Sequence, residues 1–539
     1  MDQFVNKKES IVTEAVDGLV AASGGKLARL NGYPHIRVVI RNDWDKSKVA
    51  LVSGGGSGHE PSHAGFVGQG MLTAAICGDV FASPSVDAVL AGILAVTGPK
   101  GCLLIVKNYT GDRLNFGLAA ERARALGIKV SMVIVNDDIA LPDLPQPRGI
   151  AGTLFVHKIA GALADEGADL DNITIAANRV IANVKTIGMS LDTCTIPGSP
   201  KDNRIPDGVA ELGLGIHGEA GIEQIAYQGA KDAVSSMINK LNSVIDRNKS
   251  YIALLNNLGG TSVLEMSVIL HELCISSIGN QLAFVIGPTT MMTSLDMRGF
   301  SISIYPEIEE DVKLLNATTH LSTWPGLSTI KPINIAELPN NLKPQTFAPS
   351  DDTSTRSLLT KCCNILIAAE GDLNALDAKS GDGDTGSTFA KAAHALLGSI
   401  DQLPLADHTQ LLRAIGIELN QTMGGSSGVL LAIFFAAAGD GSAKGLPIID
   451  ALKSGLKRLQ EIGGANIGDR TLIDALAPAL DNLSKGLPDA ANAARVGANH
   501  TATISRAKAG RAAYISSQQL EGNVDPGAEA VARLFENLV

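Results

Sequence analysis

The chain opens on an alternation of short apolar runs and helical stretches. Residues 10–22 carry apolar positions at helical spacing, while 36–40 and 49–53 are short and β-branched, as buried strands are. Residues 102–106, 116–126 and 130–135 then predict strand, helix and strand, a βαβ unit. Helical patterning follows from about 152 to 191. A second series places strands at 251–255, 283–286 and 300–304, with a helix at 262–273. The pattern predicts an α/β region of two subdomains over residues 1–331.

The character changes at Pro325, Pro332, Pro339, Pro344 and Pro349, with Asp351-Asp-Thr-Ser-Thr behind them. Proline this dense resists helix and favours an extended, semi-rigid spacer, so a linker is expected at 332–353. Beyond it the strand pattern is nearly gone. Residues 354–539 read as Ala- and Leu-rich helices broken by glycine, an all-α domain.

Inside that domain Leu358, Cys362, Ile365, Leu366, Ala369, Leu373 and Leu376 recur at helical spacing, and a second helix starts near Phe389. The turn between them is Asp377-Ala-Lys-Ser-Gly-Asp382-Gly-Asp384-Thr-Gly-Ser-Thr388. Three carboxylates on glycine-spaced steps suit a hard cation. Thr385, Ser387 and Thr388 offer caps and backbone N–H groups at a helix start, where phosphate binds. Together these suggest a nucleotide with Mg²⁺. An ordinary solvated turn uses the same residue types. An EF-hand is excluded, because Ser387 stands at the glycine position and Ala393 at the bidentate glutamate position. Met423-Gly-Gly-Ser-Ser-Gly428, ahead of an apolar helix, is a second place for phosphate oxygens.

Composition narrows the classes. At 539 residues and 45% hydrophobic content the chain exceeds one core. A net charge of −11 and 4% aromatics leave no basic groove with stacking platforms, so no nucleic-acid partner is expected. The polar, acid-containing start shows no secretory signal, and the longest apolar run, 429–438, is too short to cross a bilayer, so no membrane partner is expected. The six cysteines are scattered without a C-x-x-C pair, as in a reduced, cytoplasmic protein.

In the α/β region, Gly54-Gly-Gly-Ser-Gly-His59 follows a strand and is no Walker A loop, since no Gly-Lys-Ser/Thr closes it. His59-Glu-Pro-Ser-His63 matches a zinc-protease pattern, but Pro61 breaks the helix that pattern needs. What remains is a backbone able to approach a small polar ligand, with His59 at its rim. Lys107 and Asp112 lie at the C-terminal end of a predicted parallel strand, where ligands bind in open α/β sheets. His217 stands among Gly215, Gly218 and Gly221, which leave an imidazole unhindered as nucleophile or base.

Taken in order, Gly-Gly-Gly-Ser-Gly-His59-Glu-Pro, Lys107-Asn-Tyr-Thr-Gly-Asp112-Arg, Gly-Ile-His217-Gly-Glu, Asp377-Ala-Lys-Ser-Gly-Asp382-Gly-Asp384-Thr-Gly, Met-Gly-Gly-Ser-Ser-Gly, Gly-Asp469-Arg-Thr and Asp525-Pro-Gly-Ala resemble the single-chain ATP-dependent dihydroxyacetone kinases over the whole chain. The resemblance implies a substrate domain followed by a helical-barrel nucleotide domain, a homodimer, and ATP and Mg²⁺ as cofactors. It implies that His217 bonds to the ketone of dihydroxyacetone as a hemiaminal, with His59 and Asp112 in acid–base roles. Gly54, Gly55, Gly56, Ser57, Gly58 and Lys107 would line the substrate pocket. Asp377, Asp382 and Asp384 would hold Mg²⁺. Thr385, Gly386, Ser387, Thr388, Ser426, Ser427, Gly463, Leu472, Arg511, Asp525, Pro526 and Gly527 would form the nucleotide site.

Ala220 replaces the proline common after His-Gly-Glu, and Leu472 a usual methionine; neither removes a functional group. The resemblance also admits a triokinase that takes glyceraldehyde, with an FAD-AMP lyase side activity. A non-enzymatic sensor would not need the three aspartates. A form recharged by a phosphohistidine protein would not need both domains on one chain.

Overall fold

The computed structural model describes residues 3–141, 146–339, 345–508 and 511–539; the Arg511 side chain and residues 340–344 of the expected linker lie outside the described part. The chain divides into two compact units, Met1–Ile335 and Ala336–Val539.

The first unit is mixed α/β. Its strands are β1 (Leu27–Arg29), β2 (Val38–Arg41), β3 (Ala50–Ser57), β4 (Ala74–Val80), β5 (Cys102–Lys107), β6 (Val130–Val135), β7 (Lys185–Ser190), β8 (Val209–Leu212), β9 (Glu223–Ala226), β10 (Tyr251–Asn257), β11 (Leu282–Thr290), β12 (Gly299–Pro306) and β13 (Ser328–Thr329). One sheet runs β1-β2-β4-β3-β5-β6, the other β13-β11-β10-β12-β7-β8-β9. β4, β3, β5 and β6 are parallel, with β2 added antiparallel at one side. In the second sheet only β10 and β11 pair in parallel among the described strands.

β3 and β5 are buried at every position, which is why β5 and the first three residues of β3 read as apolar runs rather than alternating ones. Leu103 and Ile105 share one apolar core with Leu154 and Phe155 of the helix Thr153–Glu166 and with Ile252 and Leu254 of β10. The opposite face, with Val52 and Leu104, is covered by the helices Val86–Val96 and Thr110–Ala125.

Three expectations are corrected here. The helical reading over 152–191 fails at its end: Gly167 closes the first helix in the left-handed region, Leu170–Asn183 forms a second, and residues 185–190 are β7, which pairs with β12. The glycines after residue 53 are not all loop, because β3 continues through Gly54, Gly55 and Gly56 to Ser57. The helix predicted from 116 begins at Thr110, which puts Asp112 in its first turn.

The second unit is all-α, with no strand among its described residues and helices from Thr353–Ala368 to Pro526–Leu538. Asp352 caps the first of these by accepting from the Thr355 N–H at 2.8 Å. The helix around the apolar run extends over Gly425–Ala443, long and apolar enough to cross a bilayer by length and composition. It is longer than the run because glycine and serine continue it at both ends. It packs against the helices His408–Thr422 and Ile448–Gly463, with Asp440 and Arg413 paired at 2.5 Å. A methyl at Gly455 would lie 2.4 Å from the Phe434 carbonyl oxygen, so only glycine permits that approach.

Candidate active site

In the first unit the expected residues gather at the C-terminal ends of β3 and β5 and on the β8–β9 connection. His217 sits in that connection, and Glu219 holds it. One Glu219 oxygen accepts from the His217 backbone N–H at 2.8 Å, and the other lies 3.3 Å from the ring Nδ1. A carboxylate only accepts, so Nδ1 carries the proton and Nε2 keeps its lone pair. Burial opposes ionisation of Glu219, but the hydrogen bonds it accepts from His217 hold it down to about 2.

The His217 ring is met edge-on by Tyr109 at 4.3 Å, His59 at 4.8 Å and Phe81 at 5.5 Å between centroids. Phe81 stacks on His59 from a backbone at φ 56°, which bulky side chains seldom adopt. His59 is fully buried, and its Nδ1 donates to the Thr293 carbonyl oxygen at 2.8 Å. Its Nε2 is then an acceptor, without a hydrogen-bond partner among the described residues. Burial, followed by the nearby His217 and Lys107, keeps this imidazole well below its ordinary value, hence neutral.

Gly55 explains the glycine run. A methyl there would sit 2.8 Å from Lys107 Nζ and 3.1 Å from a carboxylate oxygen of Asp112, so both groups converge on the space its missing side chain leaves. At Gly58, φ is 101° and the Phe81 ring lies 2.8 Å from where a methyl would stand, so a side chain is excluded there as well. Lys107 is fully buried and donates to the Gly54 carbonyl oxygen at 3.2 Å; burial lowers its pKa, against the pull of Asp112. Asp112 is buried in the first turn of its helix, favourable for a carboxylate, and accepts from the Ser83 hydroxyl. The Ser57 hydroxyl donates to the Gly78 carbonyl oxygen at 2.8 Å. Gly56 is closed in by the Ala82 N–H, 2.7 Å from where a methyl would be.

His59 and His63 do not converge. His63 faces Lys107 while His59 faces Thr293, as the proline in the pattern implied.

In the second unit, carboxylate oxygens of Asp377, Asp382 and Asp384 lie within 4.8 Å of one another, the first buried and the others exposed. One oxygen of Asp377 accepts from the N–H groups of Gly383, Asp384 and Thr385 at 3.1, 3.0 and 3.2 Å. An all-carboxylate donor set with no nitrogen or sulfur fits Mg²⁺ rather than zinc. The helix Thr385–Gly398 starts directly after it. Its first turn is already engaged: the Ser387 N–H donates to Asn374 at 3.0 Å and the Ser387 hydroxyl to Glu370 at 2.8 Å. The Thr388 N–H donates to the Asp384 carbonyl oxygen. A methyl on Gly386 would lie 2.0 Å from the Glu370 carbonyl oxygen, so glycine lets this helix start dock there.

Ser426 and Ser427 are exposed in the first turn of Gly425–Ala443, and Gly463 lies against Leu430 of the same helix. Asp525 caps Pro526–Leu538 by accepting from the Ala528 N–H at 2.8 Å, and burial pushes it up to about 6. Gly527 packs against Leu472. For Arg511 the structure gives only backbone, in a short 3₁₀ turn.

Sequence reasoning passed over Glu219, Phe81, Tyr109 and Ser83. Glu219 carries a signal, an acid two residues from a glycine-flanked histidine, and Tyr109 stands inside the Lys107–Asp112 motif; Phe81 and Ser83 meet the site only through folding.

The α/β unit thus holds a half-buried, nucleophile-type histidine, and the all-α unit, described by itself, holds a carboxylate cluster at a helix start; these are the two kinds of site a small-molecule phosphotransferase needs. The family follows from the comparisons. The Dak1 domain matches residues 17–323 and the DAK2 domain residues 379–539. The chain is 47% identical to a dihydroxyacetone kinase of Citrobacter freundii, over 99% of this chain and 98% of that one. It is 40% identical to a triokinase/FMN cyclase of Mus musculus, over 100% and 98%. The structure of the C. freundii dihydroxyacetone kinase in complex with AMP-PNP and Mg²⁺ matches with a TM-score of 0.70 at 46% identity, covering 100% of this chain and 99% of that one. The chain belongs to the dihydroxyacetone kinase family.

Proposed function

We propose that the protein transfers the γ-phosphoryl group of ATP to dihydroxyacetone, with Mg²⁺ held by Asp377, Asp382 and Asp384. His217 Nε2 attacks the ketone carbon and the C=O electron pair moves to oxygen. The Nδ1 proton shared with Glu219 balances the proton the new hydroxyl takes up, so the hemiaminal forms with no atoms lost. The His59 Nε2 lone pair accepts from that hydroxyl. Asp112 takes the proton of the terminal hydroxyl as that oxygen bonds to the γ-phosphorus and the bond to the ADP oxygen breaks. Lys107, with the backbone at Gly54, Gly55, Gly56, Ser57 and Gly58, binds the substrate hydroxyls. The metal supplies neutralisation of the phosphate charge, which phosphoryl transfer needs more than covalent chemistry.

Thr385, Gly386, Ser387, Thr388, Ser426, Ser427, Gly463, Leu472, Arg511, Asp525, Pro526 and Gly527 form the nucleotide site in this reading, with the Ser387 hydroxyl released from Glu370 if it is to meet phosphate. The helical unit closes as a barrel, residues 332–353 act as an extended spacer, and the α/β unit, 1–331, is built of two subdomains and dimerises. The six free cysteines support a reduced, cytoplasmic setting, and the charge of −11 supports the absence of a nucleic-acid partner.

The observation that carries the reading is the His217–Glu219 pair with Nε2 left nucleophilic, in a chain aligned end to end with a dihydroxyacetone kinase. The test is ADP formation by purified protein with ATP, Mg²⁺ and dihydroxyacetone and no added protein. ADP formation only when a phosphohistidine carrier is supplied would overturn it. The likeness to the mouse triokinase/FMN cyclase favours a second reading, in which glyceraldehyde is also phosphorylated and FAD is cyclised at the same nucleotide site. Product analysis with glyceraldehyde and with FAD decides it.

A further inference from the structure

Behind the glycine strand lies a buried group of side chains that the proposed reaction does not use. His63 is 5% exposed, and its Nε2 lies 2.7 Å from Lys107 Nζ, which is fully buried. His157, also fully buried, packs edge-on to His63 at 5.2 Å. The Ser53 hydroxyl donates to the Ile105 carbonyl oxygen at 2.7 Å, so its oxygen accepts from His157 Nε2 at 3.2 Å. His157 therefore carries its proton on Nε2 and is a neutral wall for His63.

We infer that His63 is a positioning residue for Lys107: its Nε2 accepts one ammonium proton and so aims the last one into the pocket beside Asp112. An ammonium group has three N–H donors. One goes to the Gly54 carbonyl oxygen and one to His63, which leaves one. The remaining donor has the space over Gly55, the space that Asp112 also faces. Two cations do not share a buried 2.7 Å contact, and burial, then Lys107, then His157, keep His63 in its neutral form. With its Nδ1 protonated, Nε2 has only an acceptor to offer. Replacing His63 would leave Lys107 free to rotate and one N–H buried without a partner.

The inference rests on the kinase reading for its effect on turnover, and the test separates the two. His63→Leu and His63→Gln are compared in the full-length chain. His63→Leu should lower kcat/KM about tenfold or more, the scale of one lost charged hydrogen bond. The alkaline limb of its pH profile should move to lower pH, because the ammonium loses an acceptor that favours its charged form. His63→Gln offers an amide oxygen and should recover most of both. The titratable groups facing Lys107 are His63, Asp112, His59 and His157, and only the first is changed. Titration of Lys107 by ¹⁵N-lysine NMR in the same variants reads the same interaction without turnover. A lower Lys107 titration point in His63→Leu, restored in His63→Gln, upholds the inference even if wild type makes no ADP. An unmoved titration point, or an equal loss in both variants with an unshifted alkaline limb, overturns it.

Discussion

Glu219→Gln is the sharpest probe of the histidine loop. The native carboxylate receives two donors, the His217 backbone N–H at 2.8 Å and Nδ1–H at 3.3 Å. A glutamine has one oxygen and one NH₂ and cannot serve both. If its oxygen meets the backbone, the NH₂ faces Nδ1, which must then become the acceptor; the proton moves to Nε2 and removes the nucleophilic lone pair. If the oxygen meets Nδ1–H, two N–H groups oppose each other. A hydrogen bond to a charged group is worth about 1.5–3 kcal/mol. Glu219 is 36% exposed, so solvent screening reduces this to about 1–2 kcal/mol. The adduct equilibrium should weaken roughly five- to thirtyfold. Calorimetry with dihydroxyacetone gives the affinity, and ¹³C-carbonyl-labelled substrate shows the sp² to sp³ change of the bound carbon. Wild-type affinity with full conversion to the sp³ carbon in a normally folded variant would refute the tautomer argument.

Four further outcomes follow. Asp384→Ala should abolish ADP formation while dihydroxyacetone binding by calorimetry stays intact; loss of both would contradict the assignment of metal and substrate to different units. Asp112→Asn should cut turnover roughly 10²-fold or more in a steady-state assay while the adduct still forms, and a near-normal rate would leave His59 as the base. His217→Ala should lose both the adduct and the discrimination against glycerol, which has no carbonyl to attack; an Ala variant that still rejects glycerol would rule out covalent capture. Asp525, raised from the ordinary 3.8 to about 6, holds its proton in the folded chain more tightly than in the unfolded one. Its contribution to stability therefore falls as pH rises from about 4 to about 6, by about 3 kcal/mol; Asp525→Asn, which keeps the helix cap, should flatten that part of the melting-temperature profile and raise it at neutral pH.

Legibility in the sequence followed burial. β5 and β6 were read because their positions are largely or wholly apolar and a helix separates them. β7 was missed because Lys185-Thr-Ile-Gly-Met-Ser follows a helix with no turn signal, and its strand character comes from pairing with β12 more than a hundred residues on. β4, Ala74-Ala-Ile-Cys-Gly-Asp-Val, offers small residues that neither period distinguishes. At the site, the glycines, His217 and the aspartates stood out because those residue types are informative on their own. The contacts that orient them were not legible: His59 to Thr293 and His63 to Lys107 join distant parts of the chain. The first-turn donors at Ser387 were predicted as open, but Asn374 and Glu370, on the preceding helix, reach them.

Asp377 has a consequence for which ion the turn selects. One of its oxygens is occupied by three backbone N–H groups, so this carboxylate can present only its other oxygen to a cation. Calcium gains from wide, two-oxygen carboxylate grips and a high coordination number, whereas magnesium is content with single oxygens at octahedral corners and keeps its waters. At the Asp377 corner, then, the three N–H bonds that shape the loop also leave a one-oxygen grip, the kind magnesium accepts and calcium gains least from.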